Sequence, residues 1–268
     1  METLRLKIYQ PQAHYRIPFT YRRRHTYPIP PYSTVKGFLC NILGIRRGIE
    51  RIDSDKDDKD ILKLKKLKEL KISICGNFKS KSSEYTWFRN LNKDAHEERF
   101  GYPENRKISS SIQHPGGQMP VIMDILNEVL IIIHFYHEER EFLEAIRKSF
   151  YENISNRGAP LHLGRAEDIV VILDLEFTNV FVEEVEGFFD KFFWIPEKTY
   201  TDSNCIFDFN KIGGILYNLP TFYSIVDGRR NFEYTKVKLN DGDLGGIKIL
   251  FDKKEKLPIF LFESEENK

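Results

Sequence analysis

Cysteine is scarce in this chain, and its three copies, Cys40, Cys75 and Cys205, are far apart and odd in number. No disulfide framework and no metal-ligand spacing follows from them. Two of them lie inside apolar stretches, which suits buried free thiols in a reducing cytoplasm. An excess of charge is missing as well: 41 Lys and Arg stand against 40 Asp and Glu. Any affinity for nucleic acid must therefore come from how the charges are arranged. Long apolar runs are absent, since the longest, near Val129 to Phe135, falls well short of the roughly 20 residues that span a bilayer. The opening Met1-Glu2-Thr3-Leu4-Arg5 has no cationic segment followed by an apolar one, so secretion is not expected. Asp53, Asp55, Asp57 and Asp58 resemble part of a calcium loop but lack its glycine and its terminal glutamate. Neither a metal nor another cofactor is expected, and no solenoid repeat is present.

With 268 residues the chain suffices for one large domain or two small ones with a sizeable core. Leu4, Leu6 and Ile8 alternate with Arg5, Lys7 and Tyr9, the period of a half-exposed strand with a basic and aromatic outer face. A loop over Gln10 to Tyr32 contains Pro28, Pro30 and Pro31, and Ser33 stands where it can cap a helix. Val35, Phe38, Leu39, Ile42 and Leu43 then recur at helical spacing. A short amphipathic helix follows at Ile61, Leu64 and Leu67, and a strand near Lys71 to Phe78. The polar stretch of about 79–119 is too long for an ordinary connection and reads as an inserted arm or hairpin. Two strands are expected at Val121 to Leu126 and Val129 to Tyr136, a helix at Glu138 to Ile154, and strands at Ile169 to Leu175 and Thr178 to Val185.

Without the arm the order is strand, helix, strand, strand, helix, strand. The expected fold class is α+β, a ferredoxin-like (RRM-like) βαββαβ domain over 1–186 with the arm inserted. A β-rich C-terminal portion, 187–268, is expected to pack on it, with aromatics at Phe188, Phe189, Phe192, Phe193 and Trp194 near its start.

Three groups of residues can carry chemistry. In the first, Arg22, Arg23 and Arg24 supply phosphate contacts, with His25 beside them, and Tyr21, Tyr27 and Tyr32 can stack bases. The chain then enters a helix whose free N–H groups favour an anion, with Ser33, Thr34 and Lys36 at that end. The same residues fit equally well a solvated basic loop followed by a capped core helix. The second group is the loop Asn156 to Asp168, in which Gly158 and Gly164 allow close approach to a ligand and Arg165 offers a charge. It equally fits a helix-to-strand turn closed by an ion pair from Arg165 to Glu167 or Asp168. The third is the arm, with Lys79, Lys81, Trp87, Arg89, Arg106, Lys107, Gln113, His114, Gln118 and Met119. It can close over RNA, Met119 wedging against a base, or it can be a surface insertion without a ligand. A histidine near Lys107 and a tyrosine can cleave RNA without metal, which makes His114 a catalytic candidate, but a single histidine on such a loop is more often polar surface.

The segment Tyr27-Pro28-Ile29-Pro30-Pro31-Tyr32-Ser33-Thr34-Val35-Lys36-Gly37 resembles the N-terminal signature of the Cas-five family of CRISPR-associated proteins, in the RAMP superfamily. Leu163-Gly164-Arg165-Ala166-Glu167-Asp168 looks like that family's glycine-rich loop, and Leu6-Lys7-Ile8-Tyr9-Gln10 is also similar. The resemblance covers about the first 175 residues. It implies a subunit at one end of a type I interference complex (Cascade), holding the 5′ handle of the crRNA. The implied protein partners are the first backbone subunit and the large subunit, with target DNA met through the complex and no membrane. The chain looks closest to the type I-B branch, whose member is a non-catalytic cap. In the type I-C branch the member is itself a nuclease with a Tyr, Lys and His set. Tyr27, Lys107 and His114 can imitate that set, but the motif around it is not matched here. With the charge and aromatic patterns above, the residues expected on RNA are Arg22, Arg23, Arg24, His25, Tyr27, Ser33, Thr34, Lys36, Gln118, Met119, Gly164 and Arg165.

Overall fold

The structure is a computed structural model and describes residues 1–45, 58–90, 107–108, 111–112, 117–152, 160–226 and 229–264. In chain order its elements are β1 (Glu2–Ala13), β2 (Tyr15–Arg16), β3 (Arg23–Arg24), β4 (Thr26–Tyr27), α1 (Tyr32–Ile42), α2 (Asp58–Glu69), β5 (Lys71–Asn90), β6 (Lys107–Ile108) and β7 (Ser111–Ile112). They continue as β8 (Gly117–Tyr136), α3 (Arg140–Glu152), β9 (Val171–Phe188), β10 (Phe192–Pro196), β11 (Ile215–Val226), β12 (Arg229–Asn240), β13 (Asp243–Asp252) and β14 (Leu257–Ile259). The chain is a mixed α/β protein built on one large sheet, in the order β11-β12-β10-β5-β8-β1-β9-β13-β14, with β3 added beside β8. Every pairing along that path is antiparallel, and the β3–β8 pair is parallel.

Period-two patterning sorts the side chains between the two faces of the sheet. Leu4, Leu6 and Ile8 of β1 share one buried cluster with Ile72 and Ile74 of β5, Ile131, Ile133 and Phe135 of β8, and the apolar faces of α1 and α3. Phe38 of α1 meets Phe150 of α3 edge-on, ring centroids 5.8 Å apart. On the opposite face Cys75 and Ile132 pack under Phe193 and Ile195 of β10, Leu244 and Ile249 of β13, and Phe260. The C-terminal strands therefore extend the central sheet and also cover its second face.

That cover overturns the expectation of an exposed basic face on β1. Arg5 is fully buried. Its guanidinium donates to Asp252 at 3.1 Å and Asp174 at 2.7 Å, and it pairs with Glu176 as well. Asp252 also accepts from the His134 ring at 3.0 Å and from the Lys254 backbone N–H at 2.8 Å. Burial alone would raise the Asp252 carboxyl, but the His134 and Arg5 contacts outweigh it and hold the group well below the usual carboxylate range.

Several boundaries differ from expectation. The residues after Gln10 are not one loop, because β1 runs on to Ala13 and β2, β3 and β4 follow. Glu128 adopts φ +54 within β8, which passes through it unbroken and joins two expected strands in one. Likewise β9 spans two expected strands in 18 residues. Among the described residues of the expected arm, β5 and β8 form a ribbon, paired from Lys71↔Tyr136 out to Asn90↔Gly117 without a register shift. Ser33 does not cap α1; Pro31 occupies the N-cap position and no side chain bonds there.

Replacing Asp252 with Ala removes the carboxylate that His134 bonds and the fully buried partner of Arg5, which keeps Asp174 and Glu176, and should cost about 3 kcal/mol in denaturant unfolding at pH 7, as for a buried pair that loses one partner. A depressed carboxyl stabilises fully above its unfolded value of about 3.9 and progressively less as pH falls below it. The gap between Asp252→Ala and the native chain should therefore shrink when unfolding is measured at pH 3.

A cationic cleft at the entry of the first helix

The signature-like segment is an internal fastening. Tyr27 is 3 % exposed, its ring edge-on to Trp194 at 5.7 Å and to Tyr217 at 5.6 Å. The Trp194 indole N–H donates to the Pro30 carbonyl at 3.0 Å, and Tyr32 stacks on Phe262 at 4.7 Å. Lys36 is buried too, its ammonium 3.6 Å from the centre of the Phe222 ring. Tyr27 and Tyr32 are therefore not placed to stack bases, and Lys36 is not a surface cation. Burial pushes the Tyr27 hydroxyl up to about 12, which also works against it as a proton donor or acceptor in catalysis. Of the three tyrosines in this region only Tyr21 is exposed.

A second anchor sets the mouth of α1. Asp168 is buried. One of its oxygens accepts the backbone N–H of His14 at 3.0 Å and of Arg165 at 2.7 Å, and the other accepts the Arg165 guanidinium at 3.0 and 2.7 Å. Gln10 reinforces the loop, donating to the Leu163 and Asp168 carbonyls at 2.9 Å each, while the Tyr15 hydroxyl donates to Gln10 at 2.6 Å. Gly164 takes φ +110, and a Cβ there would lie 2.7 Å from Asp168 Oδ2 and 2.8 Å from the His14 carbonyl oxygen. The glycine is needed for this close approach. Arg165 is committed to Asp168, with Glu167 at 3.3 Å and Glu84 at 3.8 Å nearby, so its chief work is to brace the loop.

Two clefts meet here and share Thr34 and Gly164. One is lined by Ser33, Thr34, Gly37, Asn41, His162, Tyr223 and Phe232, among others. The other is lined by His14, Tyr15, Arg16, Arg24, Thr34, Met123, Gly164, Arg165 and Glu167. Burial and then the like charge of Arg16 lower the Arg24 pKa. An anion in this cleft relieves both effects. It would also lie near the first turn of α1, whose positive end favours an anion, although the Thr34 N–H there already donates to the Pro31 carbonyl at 3.0 Å.

Arg23 and His25 lie around a different residue. Asp124 of β8 is buried and accepts from the His25 ring at 2.9 Å, with Arg23 at 3.8 Å and Lys81 at 3.7 Å. Burial tends to raise this carboxyl, but the His25 bond and the two cations win and hold it below its ordinary value. Arg22 contributes its carbonyl, which accepts from the Ile122 N–H at 2.9 Å. Gln118 and Met119 belong to β8, and Lys107 to β6, but their side chains lie outside the described residues, as does His114 altogether. The structure thus brings together Arg24, Ser33, Thr34, Gly164 and Arg165. It sets Arg23 and His25 apart, and it buries Tyr27 and Lys36. Arg16 and His14 were missed in the sequence because tertiary contacts place them: Arg16 pairs with Thr26, two residues from Arg24, and the His14 N–H bonds Asp168 of the loop. Among the described residues no group of histidine, cysteine and acidic side chains is arranged to hold a metal. No helix there is long and apolar enough to cross a membrane.

Residues 3–237 match the family described as CRISPR-associated protein (Cas_Cas5). The chain therefore belongs to the Cas5 family of CRISPR-associated proteins. Its fold is similar to a chain of a structure titled "CRISPR RNA-guided surveillance complex", with a TM-score of 0.51 and 13% identity over 92% of this chain and 91% of that one. A weaker likeness, TM-score 0.43 at 11% identity, covers 99% of this chain and 100% of a CRISPR protein from Archaeoglobus fulgidus. No curated protein matches the chain.

Changing Gly164 to Ala forces a Cβ into the Asp168 and His14 contacts and strains the backbone. The expected loss is about 2 kcal/mol or more in equilibrium unfolding, whereas Ala166→Gly, at an exposed position of the same loop, should cost much less.

Proposed function

We propose that this Cas5-family chain is the non-catalytic subunit that binds the crRNA 5′ handle in a type I, I-B-like, CRISPR interference complex. The observation that carries this reading is the cleft in which Arg16, Arg24, Thr34 and Gly164 converge at the entry of α1. A phosphate seated there meets two arginines and the helix entry, and Ser33 and Thr34 offer hydroxyls beside it. The handle then follows the cleft past His162 and the Tyr223 and Phe232 rings. The chain caps one end of the backbone in the cytoplasm. It contacts the first backbone subunit and the large subunit, and it meets target DNA through them.

The core supports the same reading. The strands β5-β8-β1-β9 are antiparallel in that order, with α1 and α2 after β1 and α3 after β8. We take this as a ferredoxin-like βαββαβ unit over residues 1–186, with an arm at about 79–119 and a β-rich C-terminal portion at 187–268. The buried Tyr27, its hydroxyl pushed up to about 12, favours this function over cleavage by Tyr27, Lys107 and His114.

Binding of the full chain to handle RNA should weaken with salt, with a log–log slope of about −0.7 for each phosphate neutralised. Arg16→Ala with Arg24→Ala should flatten that slope by about 1.4; an unchanged slope removes both residues from the interface. Repeat RNA incubated with the protein in EDTA should stay intact. Specific cleavage that disappears in His114→Ala would replace this function with a nuclease.

A further inference from the structure

Beyond the cleft, β3, β8 and β5 form a second surface, which joins Arg23, Lys81 and Trp87 to Tyr85 and Ile122, two residues the sequence did not single out. The pairing β3–β8–β5 sets Arg23 opposite Ile122 and Ile122 opposite Tyr85. Residues directly opposite on neighbouring strands share a face, and so do residues two apart on one strand. Tyr85, Trp87 and Lys81 of β5 therefore lie on the same face as Ile122 and Arg23. All are open to solvent: Tyr85 is 64 % exposed, Trp87 57 % and Ile122 43 %, with the side chains of Arg23 and Lys81 at 61 % and 53 %. Asp124, on the same face, is a carboxylate shared by both cations.

We propose that this face is a base-stacking platform for single-stranded RNA, in which Tyr85 and Trp87 take the bases and Arg23 and Lys81 the phosphates. It rests on the proposed function and extends the path of the same RNA. Two neighbouring cations beside exposed rings suit a nucleic-acid strand, since every base offers a face to stack while the backbone needs neutralising. The Tyr85 and Trp87 rings are 5.9 Å apart and nearly perpendicular, at 86°. Consecutive bases in a regular helical stack cannot lie on both, whereas a single strand whose bases splay apart can. Arg23 and Arg24 are adjacent in β3 and point to opposite faces: Arg24 with Met123 into the cleft, Arg23 with Ile122 onto the platform. A strand leaving the cleft across the edge of β3 passes from one arginine to the next.

The chain has two tryptophans, and Trp194 is fully buried, so a change in tryptophan emission on titrating the full-length protein with single-stranded RNA reports chiefly on Trp87. The emission should be quenched, and Trp87→Phe should remove the signal. Tyr85→Ala with Trp87→Ala should weaken binding about thirtyfold or more with the salt slope unchanged, while Tyr85→Phe with Trp87→Phe retains most of the affinity. Arg23→Ala with Lys81→Ala should instead flatten the slope by about 1.4. RNA bound with unaltered Trp87 emission and native affinity in the double alanine variant would overturn the platform and leave the cleft standing. Native RNA affinity with lost assembly onto other subunits would make the face a protein contact and overturn it equally. Quenching that persists when Arg16→Ala and Arg24→Ala leave the salt slope untouched would uphold the platform while removing the cleft. No RNA binding by the full chain would sink both.

Discussion

The Asp168 carboxylate is buried where a bare charge would be strongly disfavoured, and four hydrogen bonds from His14 and Arg165 make it tenable. Because those donors come from the end of β1 and from the glycine loop before β9, the carboxylate joins two chain segments more than 150 residues apart in sequence. The mouth of α1 has its shape because of that joint. Gly164 is forced to do without a side chain, Arg165 is turned away from solvent, and the cleft is left with Arg16 and Arg24 as its cations.

The opposite face of the sheet has a similar fixed point. Arg5 and His134 meet Asp252 at the end of β13, so the C-terminal strands are held over the central sheet by charge as well as by apolar burial. The β10 and β11 strands bring Trp194 and Tyr217 onto Tyr27. The proline-rich segment before α1 is thereby fastened to the C-terminal strands. Its aromatic residues hold the helix entry in place, and the cleft is left to their more exposed neighbours. The ribbon of β5 and β8 carries a separate surface outward, with β3 as the seam between it and the cleft.

Much of the core was legible from period and spacing. Leu4, Leu6 and Ile8 are all buried, as their alternation requires, and Val35, Phe38, Leu39 and Ile42 line the inner side of α1. The motif order around Tyr27 and Gly164 also pointed to the family. The outward side of β1 was misread because half of a strand's environment is supplied by whatever packs on it. Here that is chain some 250 residues later, which turns Arg5 from a surface cation into a buried one. Tyr27 and Lys36 were misread for the same reason: an aromatic or a lysine beside a basic loop looks like a ligand contact until its packing partners are known.

By itself, then, the sequence determined the local elements, the apolar stripe that each one buries, and the residues from which a cationic site at a helix entry could be made. These are short-range properties, set by backbone period, turn chemistry and side-chain type. Which of those residues reach solvent was decided only by the tertiary structure. Exposure depends on strand order and on pairings between distant segments, and no local pattern encodes whether a given arginine will meet an aspartate or open water.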